Sequence, residues 1–323
     1  MSNSLIKKRQ KPWRLFSWPR VGVVDVGSNA IRVTVAEITT NEIREFVSKR
    51  FALRLGEDVF KNGRILSSRT QTNLIDVFSQ IQNIFIENGV DLYRAVATSA
   101  LRSARNRKKI LNKLRKKTGI HLELIAASEE ERLIGYSLPE YAKKGKSLLM
   151  DLGGGSLEIG AYHRSFLDGM STLPLGAVRL LSFHSSMAKN SVQLCEHIAR
   201  VCEQDRFFKD FVNTKHSSLR VVGSGGNIRA LYRVSRKMFR KKTTLIPRLK
   251  VDELSLIIQK LEKMSPRQRQ NKFKLPSDRA DVILPAAYVF YEILNYLNLK
   301  NIDVPSGVSL RRGILLDLQR ELF

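Results

Sequence analysis

"MDLGGGSLEIG", residues 150–160, ends an apolar run on an aspartate, follows it with three glycines and a serine, and places a glutamate on the way out. The flanks, KSLLM before and LEIGAY after, alternate as strands do. Glycine lets two strands meet in a sharp turn. The stretch reads as a β-hairpin whose tip is bare backbone, with Asp151 on one arm and Glu158 on the other. Backbone amides at such a tip suit an anion such as phosphate. Two carboxylates beside it suit a hard cation.

The pattern occurs twice. Residues 21–38, VGVVDVGSNAIRVTVAEI, again run an apolar strand into an aspartate, a glycine turn and a second alternating strand. Asp25 takes the place of Asp151, and Arg32 follows it by the same spacing that separates Glu158 from Asp151. A third glycine loop, VVGSGG at 221–226, follows an apolar run and precedes the helix-like NIRALYRV. Two similar domains facing each other, each aiming an acidic hairpin into a shared cleft, are the expected arrangement, because ligand sites favour domain interfaces.

The 323 residues suffice for two domains with cores of their own. No run approaches the length of an uncharged membrane helix, so no transmembrane segment is expected. MSNSLIKKRQKPWRLFSWPR (1–20) lacks the apolar stretch of a secretory signal and reads as a basic flexible tail, with weak membrane-surface association as its alternative role. Cys195 and Cys202 lie seven apart on a helix-like stretch with no CxxC pair. That argues against zinc or a disulfide and fits a reducing cytoplasm. The five histidines form no recognisable nucleophilic triad.

Charge is the compositional outlier: 56 basic against 30 acidic residues, a formal +26. Such a field concentrates anions. Basic runs at 102–109, 113–117, 236–242 and 248–250 together imply a polyanionic partner. No zinc-finger spacing or RNP-type aromatic motif favours nucleic acid, which is expected to bind only non-specifically.

Along the chain, residues 21–60 read as strands, 67–89 as a helix ending at Gly89, and 92–102 as a buried strand turning helical near Thr98–Ser99, whose hydroxyls suit a cap. A basic helix follows to Gly119, then a short strand, HLELIAA. SEEERLIGYSLPEYA opens with a serine and acids, a helix start. The second half is more helical, over 191–212, 226–240, 251–264 and 279–298. Residues 265–278 lack periodicity and read as a loop. NIDVPSGVSLRRGILLDLQRELF reads as a short strand, a Ser-Gly loop and a closing helix. Strands alternating with helices argue α/β.

DVGSNAIRVTVAEI, RLGEDVFKNGRIL, VATSALRSARN, SEEERLIGYS, LLMDLGGGSLEI, LPLGAVRL, VVGSGGNIRAL and DRADVILPAAYVF together resemble, in order, the exopolyphosphatase and guanosine-pentaphosphate phosphohydrolase family. The resemblance covers most of residues 21–318. It implies the actin-like ATPase and sugar-kinase superfamily: two ribonuclease-H-like domains with mixed sheets flanked by helices. On that basis the domains are expected at 21–131 and 132–306, with the helix near 307–323 packing back on the first. Longer members carry a C-terminal HD-like domain; the resemblance here is to the short, two-domain form. A homodimer is also implied.

The same resemblance implies that Glu130 orients and deprotonates the attacking water. Glu131 beside it, where many members have a small residue, would either raise the local charge or point to solvent. Asp151 and Glu158, with Asp25 completing the acidic wall, would hold Mg²⁺ directly or through waters, Mn²⁺ being the alternative. Gly153, Gly154, Gly155 and Ser156 would meet the terminal phosphate, and Gly27, Ser28 and Asn29 would do so from the opposite hairpin. Arg102 takes the position of a phosphate-contacting arginine. Gly223, Ser224, Gly225 and Gly226 would contact a nucleoside, its phosphates or further units of a chain. The expected function is release of orthophosphate from the end of inorganic polyphosphate. The alternatives are a guanosine pentaphosphate 5′-phosphohydrolase and a non-catalytic polyphosphate or guanosine-tetraphosphate binding regulator. A kinase is a weaker fit, because Glu130 would be placed for water.

Overall fold

The computed structural model describes residues 18–183, 191–212, 219–242 and 244–323. The first seventeen residues of the basic tail lie outside the described residues. The chain divides into two compact units: the chain up to Ser137 with Leu310–Phe323, and Leu138–Ser309.

Unit 1 is built on β1 (Arg20–Val26), β2 (Ile31–Ile38), β3 (Ile43–Phe51), β4 (Leu92–Ala97) and β5 (Glu123–Leu124). Their order across the sheet is β3-β2-β1-β4-β5. β1, β2 and β3 pair antiparallel, while β1–β4 and β4–β5 are parallel. The central strand β1 is apolar almost throughout because both its faces are covered. β3 is the edge, and its exposed Arg44, Glu45, Lys49 and Arg50 discourage edge-to-edge pairing. Helices Ser68–Glu87 and Arg107–Thr118 supply Leu74, Phe78, Ile81, Ile110 and Leu114 to the core beneath Val24, Val33 and Ala95.

Unit 2 repeats the plan. Its strands are β6 (Lys146–Leu152), β7 (Leu157–His163), β8 (Phe166–Leu173), β9 (Arg220–Ser224), β10 (Arg248–Lys250) and β11 (Asn301–Asp303). They lie in the order β10-β11-β9-β6-β7-β8. Read from β8, the first five strands reproduce the order of unit 1, and β10 is an antiparallel addition at the far edge. Helices Ser191–Gln204, Gly225–Met238, Val251–Glu262 and Ile283–Tyr296 bury Ile198, Leu231, Ile257 and Phe290 against it.

Four local expectations are corrected. Residues 21–60 are not all strand: Leu55–Lys61 is a helix, with Leu55, Val59 and Phe60 on its buried side and Glu57 and Asp58 in its first turn. Residues 265–278 are not a loop. Ser265 and Gln268 form a reciprocal capping box and Pro266 opens the helix Pro266–Phe273, followed by the short Ser277–Ala280. That helix buries only Arg269 and Phe273, so apolar periodicity could not mark it. The helix carrying Glu130 starts after Ala126, which leaves Ser128 inside it rather than capping it. Thr98 stands at a helix cap, but its hydroxyl accepts no capping hydrogen bond.

Candidate active site

In unit 1 the candidate residues collect at the C-terminal ends of the parallel strands, where open α/β sheets place ligands. The ladder sets Asp25 opposite Arg32 on β2 and beside Val96 on β4. The Arg32 guanidinium lies 3.6 Å from the Asp25 carboxylate. After β1 the chain turns tightly, with the Gly27 amide donating to Ala30 O at 3.1 Å. Ser28 and Asn29 are nearly buried in this turn. Arg54 Nε donates to Asn29 Oδ1 at 3.0 Å, and the Gly56 amide donates to Ser28 O at 2.8 Å. Arg54 and Gly56, inside the quoted RLGEDVF block, are thus turn-holding residues to which the sequence assigned no role. Ser28 Oγ is buried with no hydrogen-bond partner among the described residues. A buried hydroxyl in that condition is uncommon, and a ligand oxygen would satisfy it.

β4 leads through Thr98 into the short helix Ser99–Ser103, and β5 leads into the helix Ala127–Tyr136. Arg102 joins the two: its Nη1 donates to Ile125 O at 2.9 Å and to Glu130 Oε2 at 3.2 Å. Glu130 is 7% exposed. A carboxylate so shielded and a guanidinium at hydrogen-bond distance form one preorganised pair.

The helix under Glu130 is held by a second ion network. Arg94 on β4 reaches Glu123 at 3.3 Å, Glu129 at 3.1 Å and Asp317 at 2.9 Å. Arg132 grips Glu129 with Nε at 2.7 Å and Nη2 at 2.8 Å. The Arg132 hydrogen bonds, with Arg94 adding to them, hold the Glu129 carboxyl below its ordinary range despite partial burial. Asp317 belongs to the closing helix Leu310–Leu322. That helix approaches at Gly313, where a Cβ would stand 1.8 Å from Leu133 O. Glu131 is fully buried, so the solvent-facing alternative for it is excluded.

In unit 2 the corresponding strand ends belong to β6 and β9. Asp151 and Glu158 are direct cross-strand partners, and Asp151 also lies beside Ser224. Glu158 is 1% exposed and accepts a hydrogen bond from Ser156 Oγ at 2.5 Å. The glycine loop is backed by the following segment. Ala177 N donates to Gly153 O, Val178 N and Arg179 N donate to Gly154 O, and Arg179 Nε donates to Gly155 O at 2.6 Å. Gly225, at φ +86°, presses so near that a Cβ would lie 2.3 Å from Asp151 Oδ1.

The third loop divides. Gly223 is inside β9, packed by Ile228 and Ile302, and the fully buried Ser224 donates to Val308 O at 3.3 Å. Gly225 and Gly226, which open the next helix, are only half-buried, and their open sides are taken by Asp151 and Arg279. Asn227 Nδ2 donates to Leu152 O at 2.8 Å and ties this helix to the Asp151 strand. Arg279, nearly buried, lies over Gly226 and donates to Asn227 Oδ1. Arg279 sits in the quoted DRADVILPAAYVF block, yet nothing in its local sequence distinguishes it from a surface arginine.

Two copies of one mixed sheet, each with an aspartate at the end of its first strand and a glycine turn behind it, define the actin-like ATPase class of fold. The Ppx/GppA phosphatase family model matches residues 34–322, and the chain belongs to that family. Exopolyphosphatase 1 of Mycobacterium bovis is 34% identical over 164 residues, which is 50% of this chain and 47% of the relative. The match thus spans about half the length of that relative. Exopolyphosphatase 1 of Mycobacterium leprae is 25% identical over 312 residues, 92% of this chain and 88% of the relative. Among solved structures, an exopolyphosphatase from Cytophaga hutchinsonii superposes with a TM-score of 0.83 at 22% identity, covering 94% of this chain and 98% of the other. That likeness establishes the fold.

Proposed function

We propose that this chain releases orthophosphate from the end of inorganic polyphosphate, with water as nucleophile. The observation that carries the reading is the Arg102–Glu130 pair at the ends of β4 and β5. A shielded carboxylate is suited to orient water and accept its proton, and a guanidinium is suited to two phosphate oxygens. Ser28, Asn29 and the amides near Gly27, with Gly153, Gly154, Gly155 and Ser156, are the phosphate-facing groups in this reading.

The donor set fits a hard cation. Asp151 and Glu158 offer two carboxylates from neighbouring strands. Among the described residues no three His, Cys, Asp or Glu side chains gather into a metal-binding group. A cation that takes one or two carboxylates and keeps most of its waters suits such a set, which favours Mg²⁺, with Mn²⁺ as the alternative. Bound there, it would neutralise charge on the phosphate oxygens. Asp25, expected to complete an acidic wall, stands 3.6 Å from the Arg32 guanidinium, which offsets its charge, so in this reading the cation is left to Asp151 and Glu158. The +26 charge supports a polyanionic substrate. No helix among the described residues is long and apolar enough to cross a membrane. A cytoplasmic homodimer is part of the proposal, and light scattering of the purified protein tests the dimer.

The test is phosphate release from long-chain polyphosphate with Mg²⁺, beside Glu130→Gln. A general base contributes roughly 10²–10⁴-fold, and the variant should lose that factor. Equal release by both proteins would remove Glu130 from the mechanism. Guanosine pentaphosphate, run in parallel, tests the alternative reading of a 5′-phosphohydrolase. Tight binding with no phosphate released under any divalent metal would instead favour a binding regulator.

A further inference from the structure

The helix Arg107–Thr118 turns Ile110, Leu114 and Thr118 into the core of unit 1. Its outward face carries Lys108, Lys109, Lys113, Arg115, Lys116 and Lys117, all exposed. No acidic residue occurs in the helix, and none of these six cations pairs with a carboxylate among the described residues. Among the described residues elsewhere in unit 1, some exposed cations, such as Lys61 with Glu57 and Arg132 with Glu129, are paired, while others, such as Arg44, are not; what sets this helix apart is six unpaired cations on one short face. Six unneutralised charges on a helix about 18 Å long repel one another. Three of them help the helix by facing the negative end of its dipole. The remaining repulsion is a stability cost that a polyanion would remove.

The character of the face selects among polyanions. Asn112 is its one exposed uncharged residue, and no aromatic ring is exposed along it. Single-stranded nucleic acid is gripped by stacking bases on aromatics. Membrane-surface helices carry an apolar face for the acyl boundary, and here the apolar side is spent on the core. What remains is a purely electrostatic track. The track also begins beside the candidate site: Arg107 Nη1 donates to Arg102 O and Ala104 O, both at 3.4 Å.

We propose that the outward face of Arg107–Thr118 is a docking track for a linear phosphate polymer without bases, which retains a long chain while its end is processed at Arg102. The inference rests on the polyphosphate reading above and adds the place where the rest of the polymer lies.

The test replaces the six cations with glutamine, which keeps helix propensity. Binding of long-chain polyphosphate is followed at several salt concentrations with EDTA present to prevent turnover. Neutralising six contacts should flatten the log–log salt slope by roughly four, so that between 50 and 200 mM salt the wild type loses roughly 250-fold more affinity than the variant. Wild type should also bind polyphosphate more tightly than single-stranded DNA of equal phosphate count, because the unstacked DNA offers only its sparser charge. Neutralising the exposed Lys260, Lys263, Arg267, Lys272 and Lys274 of unit 2 should spare more of the slope. Should the sixfold variant melt early, Lys109→Gln, Lys113→Gln and Lys116→Gln together should flatten it by roughly two. An unchanged slope in the neutralised helix, or DNA binding as tightly as polyphosphate, would overturn the track. Wild type that binds polyphosphate through this helix but releases no phosphate with Mg²⁺ would overturn the hydrolytic reading and leave the track standing.

Discussion

Replacing Gly225 by alanine separates a strained backbone from a displaced carboxylate. The added Cβ would lie 2.3 Å from Asp151 Oδ1, whereas Cβ contacts under 3.0 Å are essentially never found. The carboxylate must therefore retreat by about 0.7 Å. The backbone of β6 gives little room for it, since Met150 and Leu152 on either side are buried in the core. The movement falls on the Asp151 side chain. A misplacement near 1 Å costs roughly 10²-fold in rate, or about 2.7 kcal/mol in the barrier. The left-handed backbone adds about 1–2 kcal/mol of destabilisation to any L side chain there. Gly307 supplies the control. It has φ +88° and open space around its Cβ position, so Gly307→Ala carries the backbone penalty without touching Asp151. Both variants should show a similar loss of stability in urea. Only Gly225→Ala should lose turnover with saturating polyphosphate and Mg²⁺. Turnover by Gly225→Ala within threefold of wild type, or an equal loss in Gly307→Ala, would show that the position of Asp151 does not control the rate.

The charges and thiols yield further outcomes. Arg94→Ala removes one partner from three carboxylates, but Arg132 still holds Glu129, so a loss of about 2 kcal/mol in urea unfolding at neutral pH is expected. Glu129 is depressed in the folded state, so its stabilisation is present above its unfolded value of 4.5 and fades as pH falls through the lower folded value; the wild-type advantage over Arg94→Ala should shrink across that acid range. Burial pushes the Cys195 and Cys202 thiols up to about 12, so native protein at pH 8 should resist alkylation that goes to completion in denaturant. Because the folded state keeps those protons longer than the unfolded chain, stability should decline as pH rises from 9 towards 12.

The sequence disclosed whatever depended on short-range pattern. Asp25 and Arg32, like Asp151 and Glu158, are seven positions apart across a glycine turn, and a hairpin of that size makes them cross-strand partners. Helix periodicity likewise located Ser68–Glu87. What stayed hidden depends on contacts distant in sequence or on helices without an apolar stripe. Arg94 and Asp317 meet across 223 positions, and no local signal links them. Arg279 reaches Asn227 across 52. Pro266–Phe273 turns almost entirely to solvent, so only its capping box could have revealed it.

The duplicated sheet also shows how little separates the two units chemically. Each first strand ends in an aspartate, and the residue opposite it decides what the pair can do. In unit 1 that residue is Arg32, whose charge opposes Asp25 and leaves no surplus negative charge for a cation. In unit 2 it is Glu158, nearly buried and fixed by Ser156, so the pair gathers negative charge. After the last parallel strand the difference reverses. Unit 1 continues from β5 into the helix bearing Glu130. Unit 2 continues from β11 through VPSGV, a segment with no carboxylate, where Val308 O accepts from Ser224 Oγ and Arg229 Nη1. One scaffold, with two substitutions of charge at equivalent places, thus carries a shielded carboxylate beside an arginine in unit 1 and a pair of facing carboxylates in unit 2, the division of labour proposed above. If that division is right, Arg32→Glu should give unit 1 a second carboxylate pair and weak Mg²⁺ binding, while Glu158→Arg should abolish the cation dependence of any remaining activity. Calorimetry with Mg²⁺ on the two variants decides it: unchanged binding by both would mean that the cross-strand partner does not set which unit takes the metal.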